Sequence, residues 1–168
     1  DATDQLQLNS NAAFSDTADA WNDTEPTTSV FSISGDDRTN DSGETFIAYC
    51  FHSVDGYCKI GSWVGNAADN APFVYTGFRP KWVMYKKAAG SASWFIVDTA
   101  RNPGNKAFLN LSPDTATDEN TSGNGQTELF ILSNGFKPGG AGGDVNGNNE
   151  PYIYLAFAES PFKNSNAR

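Results

Sequence analysis

Three short apolar motifs occur twice in this 168-residue chain and keep the same order in both copies. Residues 6–9 match 109–112, residues 30–35 match 129–135, and residues 44–51 match 150–157. Residues 57–107 precede the second copy and have no counterpart in the first. Because repeats decide architecture before local propensity does, we expect one and a half repeat units, and therefore a longer parent polypeptide. The predicted boundaries are 1–55 for the end of a preceding unit, 56–163 for a complete unit, and 164–168 for a C-terminal tail.

The apolar segments have the composition of β-strands. Gly, Asn, Ser, Thr and Asp make up 75 of the 168 residues, and these residue types favour turns and disfavour long helices. Strands are predicted near 46–51, 59–65, 72–76, 82–85, 94–97 and 152–157, several with apolar groups on both faces, as in strands covered on two sides or lying in an oligomer. The one helical candidate is 11–21. The fold class predicted is all-β, an antiparallel β-sandwich or jelly-roll-like fold.

The charge is unevenly distributed along the chain. Residues 1–55 carry a net charge of −10, residues 56–111 carry +5 and residues 112–168 carry −4, which gives the total of −9. An acidic chain is a poor partner for nucleic acid, since phosphate binding needs clustered Lys and Arg. A basic middle between acidic ends is compatible with head-to-tail or trimeric self-contact, and equally with separate solvated faces. No apolar run approaches the roughly 20 residues that span a bilayer, so membrane insertion is not expected.

The sequence does not contain a recognisable catalytic constellation. His52 is the single histidine, and no Gly-x-Ser-x-Gly motif accompanies it, so Ser-His-acid chemistry lacks its parts. The glycine run at 139–143 is not followed by the lysine of a phosphate-binding loop and predicts a flexible loop tip. Cys50 and Cys58 are too few for a zinc site and are expected to be free and packed, although a bridge across a turn at 53–56 is geometrically conceivable. We therefore expect a non-enzymatic protein.

Three groups of residues are candidates for binding or for local structure. Asp144, Asn146, Asn148 and Glu150 alternate oxygen-bearing side chains as calcium loops do, although a solvated loop explains the pattern as well. Trp21, Trp63 and Trp94 are candidates for stacking on sugar rings, with burial in the core as the alternative. Asp98 and Arg101 have the spacing of a structural ion pair. No other cofactor is expected.

Four stretches carry a resemblance to a known family: 74–86, 95–101, 133–136 and 152–158. They are similar to the repeated β-domain of tail and other virion proteins of bacteriophages, particularly marine ones, whose pattern is Gly-Phe-x-Pro-x-x-Val, Asp-x-x-Arg-Gly, Ser-x-Gly-Phe and Tyr-Ile-x-x-Ala-Phe-Ala. The chain departs from this pattern at Asn102, where the family has glycine. Residues 46–54 also resemble the closing strand of that family.

The resemblance implies a non-enzymatic virion structural protein, a tail-fibre or surface-appendage domain located on the tail or capsid surface and assembled in the bacterial cytoplasm. Its implied partners are other virion proteins and further copies of itself, most simply as a homotrimer, with a possible host-surface glycan. Two alternatives stay open at this point. One is a capsid decoration or head-fibre protein, and the other is a secreted carbohydrate-binding module.

Overall fold

The computed structural model describes residues 4–123 and 125–161. Nine strands and three one-turn helices follow one another along this part of the chain. The strands are β1 (Cys58–Val64), β2 (Val74–Tyr75), β3 (Pro80–Lys87), β4 (Trp94–Asp98), β5 (Lys106–Ala107), β6 (Asn110–Leu111), β7 (Leu129–Leu132), β8 (Gly135–Pro138) and β9 (Pro151–Ala158). The helices are α1 (Ala18–Trp21), α2 (Asp37–Asn40) and α3 (Gly143–Asn146). The tail predicted at 164–168 lies outside the described residues.

The strands form two antiparallel sheets, which confirms the all-β sandwich. The five-stranded sheet has the order β1-β9-β3-β4-β6, and the four-stranded sheet has the order β2-β8-β7-β5. The last strand, β9, pairs with β1 on one side and with β3 on the other. The chain must therefore be complete to residue 158 before the larger sheet can close.

The core lies between the sheets and is centred on Trp63, which is 6% exposed. Its ring stacks on Tyr152 with a centroid distance of 4.8 Å and meets Phe136 edge-on at 5.5 Å. The indole N–H donates to the Val145 carbonyl at 3.2 Å, so its one polar atom is satisfied inside the core. Val83, Tyr85, Leu129, Ile131 and other buried side chains from both sheets complete the cluster.

The two copies of the repeat take different structures. In the second copy the three motifs contain β6, β7 and β9. In the first copy the described residues form no strand, and one isolated bridge joins Gln5 to Ser15. The strand predicted at 46–51 is therefore wrong for this structure. The physical reason is that a strand needs neighbours to satisfy its backbone, and the first copy lacks the counterpart of residues 57–107, which supplies β1, β3 and β4.

Two local predictions also need correction. The helix predicted at 11–21 is reduced to the single turn α1, which Thr17 caps by accepting a hydrogen bond from the Asp19 N–H. The glycine run at 139–143 is not a flexible tip, because it packs closely on residues 125–128. A Cβ on Gly142 would lie 2.6 Å from the Cα of Gln126, so close backbone approach requires glycine at this position.

The first prediction concerns the core. Replacing Trp63 by Ala removes the ring that contacts both sheets and is expected to lower the free energy of unfolding by about 3–5 kcal/mol. The matched control is Trp21→Ala, whose ring lies outside the core cluster and packs edge-on against Phe31. Urea unfolding followed by circular dichroism measures both losses. Equal losses for the two variants would contradict the central position of Trp63.

Candidate assembly surface

The five-stranded sheet presents an outer face, which points away from the four-stranded sheet. Cross-strand register divides this face into three rows, each running across the strands. The tip row is Ser62, Ile153, Lys86 and Trp94. The middle row is Ile60, Leu155, Met84, Ile96 and Leu111. The base row is Cys58, Phe157, Trp82 and Asp98.

The middle row is apolar on all five strands. Its two ends, Ile60 and Leu111, are 39% and 42% exposed, and the three residues between them are half-buried. An antiparallel sheet with one solvated face normally alternates apolar and polar residues, so that the solvated face is polar. A continuous apolar row on an outer face is typical of a surface that contacts another protein. The middle row is therefore the candidate functional site of this chain.

Residues 5–15 lie against the tip row and belong structurally to the sandwich. The Trp94 indole N–H donates to the Gln7 carbonyl at 2.8 Å, and the Phe14 N–H donates to the Ala88 carbonyl at 2.8 Å. The Ala92 N–H donates to the Asn11 carbonyl at 2.9 Å. The chain thus covers Lys86 and Trp94 of the tip row with its own N-terminal segment, whereas Ser62 of that row and both ends of the middle row are exposed.

Lys86 anchors this N-terminal segment to the sheet through a hydrogen bond to the Asn11 carbonyl. Its side chain is fully buried, and Nζ donates to the carbonyls of Ala92 at 2.7 Å, Lys87 at 3.2 Å and Asn11 at 3.3 Å. Desolvation lowers the pKa of the Lys86 amino group below its ordinary value. The three carbonyl acceptors use all three donors of the ammonium group, so Lys86 is a structural residue.

The base row is aromatic at its centre and charged at one end. Phe157 lies between Tyr57 and Trp82, with ring centroid distances of 5.8 and 5.7 Å. Asp98 accepts from Arg101 Nε at 2.5 Å, which is the pairing that their spacing predicts, and Arg101 also contacts Glu119 at 2.5 Å. Burial by itself would raise the pKa of Asp98, but hydrogen bonds from the Arg101 backbone N–H and guanidinium outweigh it and hold the pKa below its usual value.

A second apolar surface lies in the N-terminal part of the chain. Residues 44–51, which we call the exposed segment, are all exposed, with Ile47, Tyr49 and Phe51 at 76%, 79% and 59%. The exposed segment repeats the sequence pattern of β9, the strand with two neighbours in the larger sheet. It has the composition of a central strand and lies outside both sheets.

The structure separates the three candidate tryptophans. Trp63 and Trp94 are 6% and 8% exposed, and each donates its indole N–H to a backbone carbonyl. Trp63 lies in the core between the sheets and Trp94 is buried under residues 5–15, so neither offers a ring face to a sugar. Trp21 is half-buried against Phe31. The three rings are not brought together into one binding surface.

Of the four candidate calcium residues, Asn146 is buried, Asp144 and Glu150 are half-buried, and Asn148 is exposed. Asn146 lies in α3, where its Oδ1 accepts from the Asn66 N–H at 2.9 Å. Its Nδ2 donates to the Gly140 carbonyl at 2.8 Å, to the Ala68 carbonyl at 3.0 Å and to Asn66 Oδ1 at 3.1 Å. The amide therefore joins the loop at 66–68 to the loop that holds Gly140 and attaches both to α3. Among residues 4–123 and 125–161, no group of three or more His, Cys, Asp or Glu side chains is placed to hold a metal ion.

The acidic stretch at 36–41 has local partners. Asp36 caps α2 through the Arg38 N–H and forms an ion pair with the Arg38 guanidinium. The side-chain hydrogen bond from Arg38 lowers the pKa of Asp36 to about 2. With Asp19, Ser34 and Asp37, this pair lines an open depression on the N-terminal part of the chain.

The cysteines and the histidine lie around the turn that precedes β1. Cys58 is buried, and its thiol donates to the His52 carbonyl at 3.2 Å, whereas Cys50 is exposed. Both cysteines are free, and the expectation that both are packed holds for Cys58 alone. His52 is exposed, and its Nδ1 lies 3.0 Å from the Ser53 carbonyl.

Sequence reasoning missed two asparagines that organise loops. The sequence pattern offers Asn146 only as a candidate calcium ligand or a solvated loop residue, and Asn102 only as a departure from a family glycine. Asn102 is 8% exposed, and its Oδ1 accepts from the N–H groups of Phe108 at 3.0 Å and Leu109 at 2.6 Å. No local pattern marks an asparagine as buried, so only the tertiary structure reveals these roles.

Comparison with known proteins gives one match. A family model described as a domain of unknown function, DUF7483, matches residues 1–161. The match therefore spans the exposed segment and the sandwich together. No curated protein and no solved structure matches the chain. In the described residues, no helix is both long and apolar enough to cross a membrane.

A second prediction tests whether Asn146 is a structural amide. Asn146→Asp places a carboxylate against two carbonyls and an amide oxygen, and is expected to lower the free energy of unfolding by about 3 kcal/mol. Asn148→Asp, at an exposed position, is the matched control and should change it by less than about 0.5 kcal/mol. Urea unfolding is measured with calcium and with a chelator. Stabilisation of the Asn146 variant by calcium would instead favour a metal site.

A third prediction tests the anchoring of residues 5–15. Lys86→Met removes the ammonium donor of three carbonyl groups, of which that of Asn11 keeps the Ala92 N–H, and should speed amide hydrogen exchange at Phe14 and Ser15 by about tenfold. Lys87→Met is the control, because the Lys87 carbonyl remains in place as an acceptor for Lys86. Hydrogen exchange followed by mass spectrometry measures the exchange rates of both variants. Unchanged exchange in the Lys86 variant would show that the segment is held by other contacts.

Proposed function

Since the chain belongs to the family of the domain of unknown function DUF7483, which carries no assigned activity, we propose its function from its surfaces. We propose that it is a non-enzymatic structural component of a bacteriophage virion, a β-sandwich unit of a tail fibre or similar surface appendage. Its partners in this proposal are other virion proteins and further copies of itself.

The observation that carries the proposal is the apolar middle row. It crosses all five strands of the larger sheet and ends in two exposed residues, Ile60 and Leu111. The row lies on the outer face of a sheet and its five side chains are apolar, whereas small-molecule sites are concave and hold a few placed polar groups. Protein contact is the use that its shape and chemistry fit best.

The residues that carry the family resemblance occupy structural positions, which supports the same proposal. Gly77 and Phe78 form the turn between β2 and β3, where the Gly77 N–H donates to the Asn134 carbonyl and Thr76 Oγ1 donates to the Phe78 carbonyl. Asp98 and Arg101 form an ion pair, and residues 152–158 lie within β9. The motifs thus maintain turns and strands, as expected of a building block.

Glycan contact is not part of the proposal. Two of the three candidate tryptophans are buried, and Trp21 packs against Phe31. A secreted carbohydrate-binding module would be favoured by glycan-array binding without association with particles. Release of reducing ends from host polysaccharide would replace the proposal with a hydrolase.

A fourth prediction locates the chain in assembled particles. Electron cryo-microscopy of phage particles that encode this chain, with antibody labelling against it, is expected to place the sandwich on the tail. Density at capsomer centres would assign it to capsid decoration instead. Absence of the chain from purified particles would overturn the proposal. The control is the same antibody labelling on particles of an unrelated phage.

A further inference from the structure

We propose that the exposed segment of one copy packs on the middle row of a second copy, so that copies join by a heterologous contact. The inference rests on the proposed function, because it names the partner of the assembly surface. It assigns one occupant, residues 44–51 of another copy of this chain, to one acceptor, the row from Ile60 to Leu111.

The exposed segment has the chemistry of a strand that is covered on both sides. It matches residues 150–157 at most positions, with the same residue at Glu44 and Glu150, Ile47 and Ile153, and Phe51 and Phe157, and it differs in character at Thr45 and Ala48. β9 has a strand on each side, one face in the core and the other face in the outer rows. The exposed segment carries the same two apolar faces without these neighbours. A surface of this kind is stabilised by contact with apolar partners supplied from outside the segment.

The chain's own sheet does not receive the exposed segment in this structure. The turn before β1 closes with the Val54–Cys58 bridge. At the next position on the edge of β1, Ser53 Oγ accepts from the Ile60 N–H at 3.1 Å and lies 3.4 Å from the Ile60 carbonyl. The serine side chain takes the place that the backbone of His52 would occupy in a longer hairpin. The chain therefore leaves the sheet at Ser53, and residues 44–51 lie away from it.

Charge complementarity favours a second copy as the occupant. The exposed segment belongs to residues 1–55, which hold eleven acidic residues and one basic residue. The strands of the acceptor sheet hold four basic residues, Lys59, Lys81, Lys86 and Lys87, and one acidic residue, Asp98. The opposite net charges of these two parts of the chain promote their encounter. Two larger sheets that met face to face would bring like net charges together.

A fifth prediction uses complementary variants of the full chain. The segment variant carries Ile47→Ser and Tyr49→Ser, and the row variant carries Ile60→Thr and Leu111→Thr, all at exposed positions. Wild-type protein is expected to self-associate in sedimentation velocity, and each variant alone to do so at least about 30-fold more weakly. An equimolar mixture of the two variants should form a one-to-one dimer, because it retains one intact segment and one intact row.

Several outcomes would overturn the inference. They are a wild-type protein that stays monomeric at all concentrations, a segment variant that associates as well as wild type, and a mixture that stays monomeric. Tyr75→Ser, on the other sheet, is the control and should leave association unchanged. Circular dichroism confirms that every variant is folded. A monomeric wild type that is nevertheless found in particles would overturn this inference alone, whereas absence from particles would overturn the proposed function.

Discussion

The larger sheet depends on the pairing of β9 with β1 and β3. β1 begins at residue 58 and β3 ends at residue 87, yet the two strands never pair with each other. The strand that joins them comes from residues 151–158, at the far end of the described chain. Non-local pairing of this kind costs loop-closure entropy before it is rewarded. The order of the five strands, the core contact of Trp63 with Tyr152, and all three outer rows follow from this one insertion.

The same constraint explains why one sequence pattern has two structures in one chain. Residues 150–157 find β1 and β3 as neighbours, whereas residues 44–51 have no counterpart of those strands before them. Local propensity is similar in the two segments, so the difference comes from the partners and not from the residues. A strand forms only where neighbouring strands pair with it. The repeat supplies a second copy of the β9 sequence pattern without second copies of β1 and β3.

The fold was predictable from the sequence where a strand has a recognisable local composition. The apolar runs at 82–85, 94–97 and 152–157 contain aromatic and β-branched residues between turn formers, and all of them are strands. The apolar groups on both faces of these runs also indicated a covered outer face. The sequence could not show that Lys86 would be buried under residues 5–15 or that Asn146 would join the loop at 66–68 to the loop that holds Gly140. Both roles depend on carbonyl groups brought together from distant positions.

The placement of the two proposed surfaces bears on the form of an assembly. The exposed segment leaves the sandwich at Ser53, beside Ile60, which is one end of the middle row. The junction between the exposed segment and the sandwich therefore lies beside one end of the row. A heterologous contact closes into a ring or continues as a filament, according to the rotation between copies. A closed ring would pair every exposed segment with a middle row, whereas a filament would leave one segment and one row without a partner at its two ends.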